Sequence, residues 1–300
     1  MGAQNLVTVK RATPIILALL LCALLPACAD SSAEQRLRVL TLNTHLGLMP
    51  NTDQRYHPGL QRLWSTQDWI AAEQPDIVAL QELDGFTPAG LQRVAAAWGH
   101  EHVVLQSARD GHLVGITSAQ PIEFVGERDE DMDHGFLYVR TFGIDVLTTH
   151  LSSQGLARRR DESEYLLRRV ETALAKGHEV LLLGDLNSHS AADAELLAQV
   201  PQIHQLYLDR DASHGQAQNL VDGKIDFSVM QSFFEGGLVD VFPPHRSPGL
   251  PSIAGARRID YILASQGLAS RCVNARWEVN ADTHLNSDHY PVVAEFDWDR

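Results

Sequence analysis

Leu182-Leu183-Gly184-Asp185-Leu186-Asn187 closes an apolar run that begins at Val180. Residues 180–183 are wholly apolar and short, which reads as a strand buried on both faces. Asp185 and Asn187 stand just past its end. Strand ends are rigid, and the loops beyond them are free to hold polar groups. One carboxylate in such a place is ordinary, because Asp and Asn cap helices and start turns. Its meaning depends on whether other strands end in the same way.

Five do. They are Leu40-Thr41-Leu42-Asn43-Thr44-His45, Ala79-Leu80-Gln81-Glu82, Leu147-Thr148-Thr149-His150-Leu151, Arg258-Ile259-Asp260-Tyr261-Ile262 and Asn286-Ser287-Asp288-His289-Tyr290-Pro291. Together with the first they supply oxygen donors at Asn43, Glu82, Asp185, Asn187 and Asp288, and imidazoles at His150 and His289. Hard oxygen donors without cysteine suit Mg2+, Mn2+ or Ca2+ rather than structural zinc.

The rest of the chain alternates strands and helices at both ends and places strand next to strand in the middle. Strands are expected at 37–42, 77–80, 102–106, 113–117, 136–142, 144–149, 180–183, 259–263, 273–279 and 292–296. Helical spacing marks residues 60–73, with Leu60, Leu63, Trp64 and Ile70 inward, as well as 91–98, 157–176 and 191–198. Segments 206–224 and 243–258 read as long irregular loops. They carry His214, His245, Arg257 and Arg258, where selectivity could reside. Five arginines (158, 159, 160, 168 and 169) make the 157–176 helix basic. A solvated face paired with Asp161, Glu162 and Glu164 is the simpler reading than a phosphate patch. The pattern predicts an α/β fold with two packed mixed sheets and helices outside them.

The N-terminus reads as a targeting segment. Lys10 and Arg11 precede an apolar run at 15–25 and small residues at Ala27 and Ala29, the order of a secretory signal. Leu25-Pro26-Ala27-Cys28 resembles a bacterial lipobox, with a lipid thioether expected on Cys28. Ala27-Cys28-Ala29 also fits ordinary signal cleavage. A Cys directly after a small residue favours lipidation. The expected organisation is a signal over 1–27, a tether over 28–36 and one domain over 37–300. Cys22 would leave with the signal, so no disulfide framework is expected from Cys28 and Cys272. About 270 residues can bury roughly three quarters of their extended surface without one. The chain carries a formal charge of −14. Such an acidic body argues against processive binding to a polyanion.

Taken in order, the six segments resemble the signature of the endonuclease/exonuclease/phosphatase superfamily. GDLN at 184–187 and SDHYP at 287–291 are its most specific parts, reinforced by QE at 81–82 and RIDYI at 258–262. The resemblance spans about residues 37–296. It implies a four-layer α/β sandwich of the deoxyribonuclease I type, with the site at one end of the paired sheets. It also implies roles at matching positions. Glu82 would be the principal metal carboxylate, with Asn43 beside it and Asp288 completing the Mg2+ or Mn2+ site. Asp185 would orient or deprotonate the attacking water, and Asn187 would hold that water or a phosphate oxygen. His289, oriented by Asp260, would transfer a proton, and His150 would bind the phosphate. Relatives often carry Gly-Asn-Ala…Ser-Arg-x-Pro-Ile where residues 113–122 stand here. The asparagine and arginine are missing, and so is the acid that orients the His150 imidazole in related nucleases; Asp110 is the nearest in sequence.

The expected activity is metal-dependent hydrolysis of a phosphate ester, outside the cytoplasm or on a membrane through Cys28. A phosphodiester of a lipid headgroup or small molecule is the leading substrate class. A nuclease is the competing reading within the same chemistry. A catalytically inactive binding lipoprotein is the reading from another class.

Overall fold

The computed structural model describes residues 35–49, 55–56, 58, 60–107, 111–128, 130–213, 218–242 and 257–298. The expected signal and lipobox with Cys28, together with Asp110, His214 and His245, lie outside the described residues.

The strands are β1 (Arg36–Asn43), β2 (Ile77–Gln81), β3 (His102–Leu105), β4 (Gly115–Ser118), β5 (Glu123–Arg128), β6 (Phe136–Thr141) and β7 (Ile144–His150). They continue with β8 (Val180–Asp185), the two-residue pair β9 (Leu220–Val221) and β10 (Lys224–Ile225), β11 (Leu238–Asp240), β12 (Asp260–Ser265), β13 (Cys272–Trp277) and β14 (Val292–Asp297). The helices are α1 (Gln61–Glu73), α2 (Pro88–Ala95), α3 (Leu156–Ala175), α4 (Ala194–Gln199), α5 (Pro201–Ser213), α6 (Ser228–Glu235), α7 (Gln266–Ala269) and α8 (Ala281–Asn286).

Two six-stranded sheets form, in the orders β13-β14-β1-β2-β4-β3 and β11-β12-β8-β7-β6-β5. Both are mixed: β1 runs parallel to β2 and antiparallel to β14, while β7 and β8 are a parallel pair. The two-residue alternation of the strands explains the layering. Leu37 and Val39 of β1 face Leu181 and Leu183 of β8 in the core between the sheets. Leu40 and Leu42 point the other way, into a cluster with Trp69 and Ile70 of α1 and Leu91 of α2. Val180 and Leu182 do the same on the second sheet, against Leu166 and Val170 of α3 and Phe233 of α6. Strands buried on both faces have no polar side to show, which is why β8 reads as an unbroken apolar run. The result is the expected four-layer sandwich.

Two expectations are corrected. Leu60 and Trp64 do not face inward; they are 47% and 57% exposed. The face of α1 that packs is Arg62, Thr66, Trp69 and Ile70. Arg62 is fully buried and donates to the carbonyls of Thr44, His45, Met49 and Asn286. A hydrophobicity reading puts arginine outside, but here its fork of donors satisfies loop carbonyls that water cannot reach. Segment 206–224 is not one irregular loop either. Pro201 stands at the first position of α5, where its missing N–H costs nothing. Ile203 and Tyr207 pack with Leu197 and Leu220 in a small satellite core.

The registers bring the six motifs to one end of the sandwich. Asn43, at the end of β1, lies beside Gln81 at the end of β2. His150 lies beside Asp185, and Asp185 beside Asp260, across β7, β8 and β12. Gln81 ties the sheets together by donating to Thr41 Oγ1 at 3.0 Å and to Thr148 Oγ1 at 3.1 Å.

Gly184 makes this register possible. Its φ is +136°, and a Cβ there would meet the Thr149 carbonyl oxygen at 2.0 Å. That oxygen belongs to the neighbouring strand and cannot move alone. Gly184→Ala is therefore expected to lower stability by about 2–5 kcal/mol through overpacking and backbone strain. Urea unfolding of the variant checks this, and an unchanged midpoint would contradict it.

Candidate active site

Asp185 is the hub. Its Oδ2 accepts from Asn43 Nδ2 at 3.2 Å and lies 3.4 Å from His150 Nε2 and 3.8 Å from His289 Nε2. Its Oδ1 accepts from the Asn187 amide at 2.9 Å. His289 is gripped from behind, with Nδ1 2.8 Å from Asp260 Oδ2. Ser287 Oγ donates to the Asn43 carbonyl at 2.8 Å and accepts from the His289 amide, which fixes the start of the Ser287–Pro291 motif to the end of β1. Asn187 Nδ2 donates to the Leu151 carbonyl at 2.9 Å. Glu82 and Asn187 both have left-handed backbones, with φ of 53° and 44°. Non-glycine residues seldom adopt this conformation, and it tends to persist where a site demands it.

The electrostatics divide the titratable groups. Burial pushes the Asp185 carboxyl up to about 7, the Asp260 charge adds to the rise, and His289 with the Asn187 and Asn43 hydrogen bonds opposes it. Burial alone would depress His289. The Asp260 charge and hydrogen bond, followed by Asp185 and Asp288, raise it instead to about 10. His289 is thus an imidazolium at neutral pH, held by its carboxylate in one orientation. His150 is held well below the usual histidine value by burial and by the His134, His289 and His112 charges. It is a neutral imidazole. Glu82 feels a burial penalty that raises it, but the Asn43 and Leu46 hydrogen bonds and two histidine charges leave it below the usual carboxylate range.

Glu82 and Asp288 are carboxylates of one cleft, with Asn43 beside Glu82, and these oxygen donors could hold a divalent ion. Glu82 is held ionised, and both its oxygens are fixed, Oε1 by Asn43 Nδ2 and Oε2 by the Leu46 amide, each at 3.0 Å. Glu82 and Asp288 line one cleft with Asp185, Asn187, His150 and His289. Oxygen donors of this kind take Mg2+ or Mn2+. His45 stands beside them, with Nδ1 3.2 Å from Asp288 Oδ1.

A family model described as the Endonuclease/Exonuclease/phosphatase family matches residues 40–289. The chain belongs to this family. It is a metal-dependent enzyme that hydrolyses phosphate esters. Solved structures share the fold. An AP endonuclease from Archaeoglobus fulgidus is 24% identical with a TM-score of 0.57, covering 87% of this chain and 100% of its own. A 3' phosphatase from Neisseria bound to product DNA hairpin is 22% identical with a TM-score of 0.60 and the same coverages. An endonuclease/exonuclease/phosphatase from Beutenbergia cavernae is 21% identical with a TM-score of 0.53, covering 87% of this chain and 71% of its own.

The structure also places residues at the family site that the motifs do not contain. His112 and His134 enter the cleft beside His150, and Arg210 and Arg257 line its other side. His150 has no carboxylate behind it: its buried Nδ1 lacks a hydrogen-bond partner among the described residues. Its ring is stacked on His134 instead, with centroids 4.3 Å apart. That contact, rather than a carboxylate, backs the His150 ring. Of the tandem arginines, Arg257 reaches the cleft. Arg258 is buried between Asp193, at 2.7 Å, and Asp240, where it anchors the start of β12. The basic residues of α3 are mostly paired, as expected: Arg158 lies 3.6 Å from Glu162 and Arg168 3.8 Å from Glu164, beside partners outside the helix. Arg158 meets Asp133, and Arg160 meets Asp226. Arg159 is not on a solvated face; it is buried, donating to the Ser152 carbonyl and Asn219.

Proposed function

We propose that the enzyme is an exported phosphodiesterase that uses Mg2+ or Mn2+ and acts on a lipid headgroup or another small phosphodiester. The observation that carries this reading is the cleft around Asp185. Its volume is about 220 Å3. That suits a phosphate with its nearest substituents. Arg210 and Arg257 add two guanidinium groups to the imidazolium of His289, and a planar fork of donors matches phosphate oxygens.

In this reading Asn43, Glu82 and Asp288 hold the ion, which supplies positive charge to the nonbridging phosphate oxygens. Asp185, titrating near neutrality, takes the proton of the attacking water. Asn187 fixes the Asp185 carboxylate and the adjoining loop. His289 offers a fixed positive charge toward the phosphate, and neutral His150 offers a hydrogen bond. Asp260 holds His289 charged. A lipid on Cys28 would keep the cleft near membrane headgroups, facing the periplasm or the exterior.

The nuclease reading has support of its own, because structural neighbours include an AP endonuclease and a 3' phosphatase bound to a DNA hairpin. The acidic charge of −14 weighs against it. The purified residue 30–300 chain separates the two. With Mg2+ or Mn2+ it is expected to hydrolyse bis(p-nitrophenyl) phosphate and at least one member of a phospholipid and sphingomyelin panel. Nicking of plasmid DNA as the only activity would sink the small-diester reading.

A further inference from the structure

Beside the Asn43–Glu82–Asp288 donors lies a second group of different chemistry. Asp84 follows Glu82 by two residues, and His112 reaches both from the segment before β4. His112 Nδ1 is 2.9 Å from Asp84 Oδ2 and 3.8 Å from Glu82 Oε2. These three donor atoms all lie within 4.8 Å of one another. Nδ1 carries at most one proton, so it can serve only one of the two carboxylates by hydrogen bonding. Among the described residues neither carboxylate has an Arg or Lys salt bridge. A cation is what such a convergence lacks.

The surroundings favour one that accepts nitrogen. His134 presents a second imidazole at 5.0 Å from the His112 ring, edge to face. Two imidazoles on one tetrahedral ion have centroids about 5 Å apart when the metal–nitrogen bonds are near 2 Å. The Glu82 oxygens divide between the two groups: Oε1 takes the Asn43 amide, while Oε2 faces His112.

We infer that Glu82, Asp84 and His112, with His134 alongside, form a second metal site that selects Zn2+ over Mg2+ and shares Glu82 with the all-oxygen site. Mixed imidazole and carboxylate donors bind zinc well, whereas Mg2+ prefers oxygen alone. The site stands whatever the substrate is.

Calorimetric titration of Zn2+ into the chain in excess Mg2+ tests it. One Zn2+ per chain is expected. His112→Ala and Asp84→Asn should each weaken its uptake by at least about 30-fold, since the first removes a nitrogen donor and the second the carboxylate charge. Both side chains are only half-buried, so the variants are expected to fold, and their circular dichroism checks this. No zinc uptake by the Mg2+-loaded chain would overturn the inference, as would uptake equally tight in both variants. Zinc binding that both variants lose supports the site even if no phosphate ester is hydrolysed.

Discussion

Asp185→Asn is expected to lower kcat about 10^3-fold while making the chain more stable at neutral pH. The loss follows from removing the proton acceptor, since a positioned general base contributes about 10^2–10^4 in rate. The gain follows from linkage. The folded carboxyl is pushed up to about 7, mainly by burial and then by the Asp260 charge, from an ordinary value of 3.8. Between those values the folded chain binds more protons than the unfolded chain, so stability falls as pH rises through the window. At pH 7 and above the cost is at its full extent, with a ceiling of about 4 kcal/mol at 1.36 kcal/mol per pH unit. Asparagine keeps the shape and abolishes the charge. His289 then loses one of its stabilising partners, which offsets part of the gain. A rise in Tm of a few degrees at pH 7.5, shrinking at pH 4, is the expected signature. A variant both inactive and less stable at pH 7.5 would mean that Asp185 is there to hold the fold.

This opposition of stability and function marks which parts of the molecule could be read in advance. The six motif segments were legible because each sits at a strand end. Strand ends are local features, and a two-sided apolar run such as Val180–Leu183 announces its strand without help from the rest of the chain. Their convergence needed the registers: His150, Asp185 and Asp260 become neighbours only when β7, β8 and β12 pair. His112 and His134 give no signal, since a histidine in a loop has no periodicity and their meaning arises from packing around His150, His134 stacked on it and His112 tilted beside it. Arg210 was hidden for another reason. It lies on α5, a helix whose buried apolar side is little more than Ile203 and Tyr207 against Leu197 and Leu220. Such a weak stripe reads as loop until tertiary packing forms it. Arg62 failed in the opposite direction, because the rule that places charge outside does not count carbonyls in need of donors. The departure at residues 113–122 was visible in sequence, but its consequence was not. Behind His150 stands the ring of His134 rather than a carboxylate, a contact that only the folded chain brings about.

Asp260→Asn is expected to change the pH profile as well as the rate. In the wild type, kcat/KM should rise through about pH 7 as Asp185 loses its proton and fall near pH 10 as His289 loses its own. The upper limb exists because Asp260 lies 2.8 Å from His289 Nδ1. Burial alone would depress His289, and the Asp260 charge and hydrogen bond are the first forces that reverse it. An asparagine keeps a hydrogen-bonding group in place without the charge. His289 should then titrate well below 10, and the plateau between the two limbs should narrow. At neutral pH the rate should fall by about 10^2–10^4-fold, the range that a positioned proton-transfer group contributes. Stability responds with its own sign. A histidine raised in the folded state stabilises fully below its unfolded value near 6.5, and that stability drains away as pH climbs toward 10. The wild type should therefore lose more stability than Asp260→Asn between pH 7 and pH 10. Chemical unfolding across that interval, beside the pH–rate profile, reads both effects. An alkaline limb unmoved by Asp260→Asn would show that His289 does not set it, and would leave the fixed imidazolium without a role in the reaction.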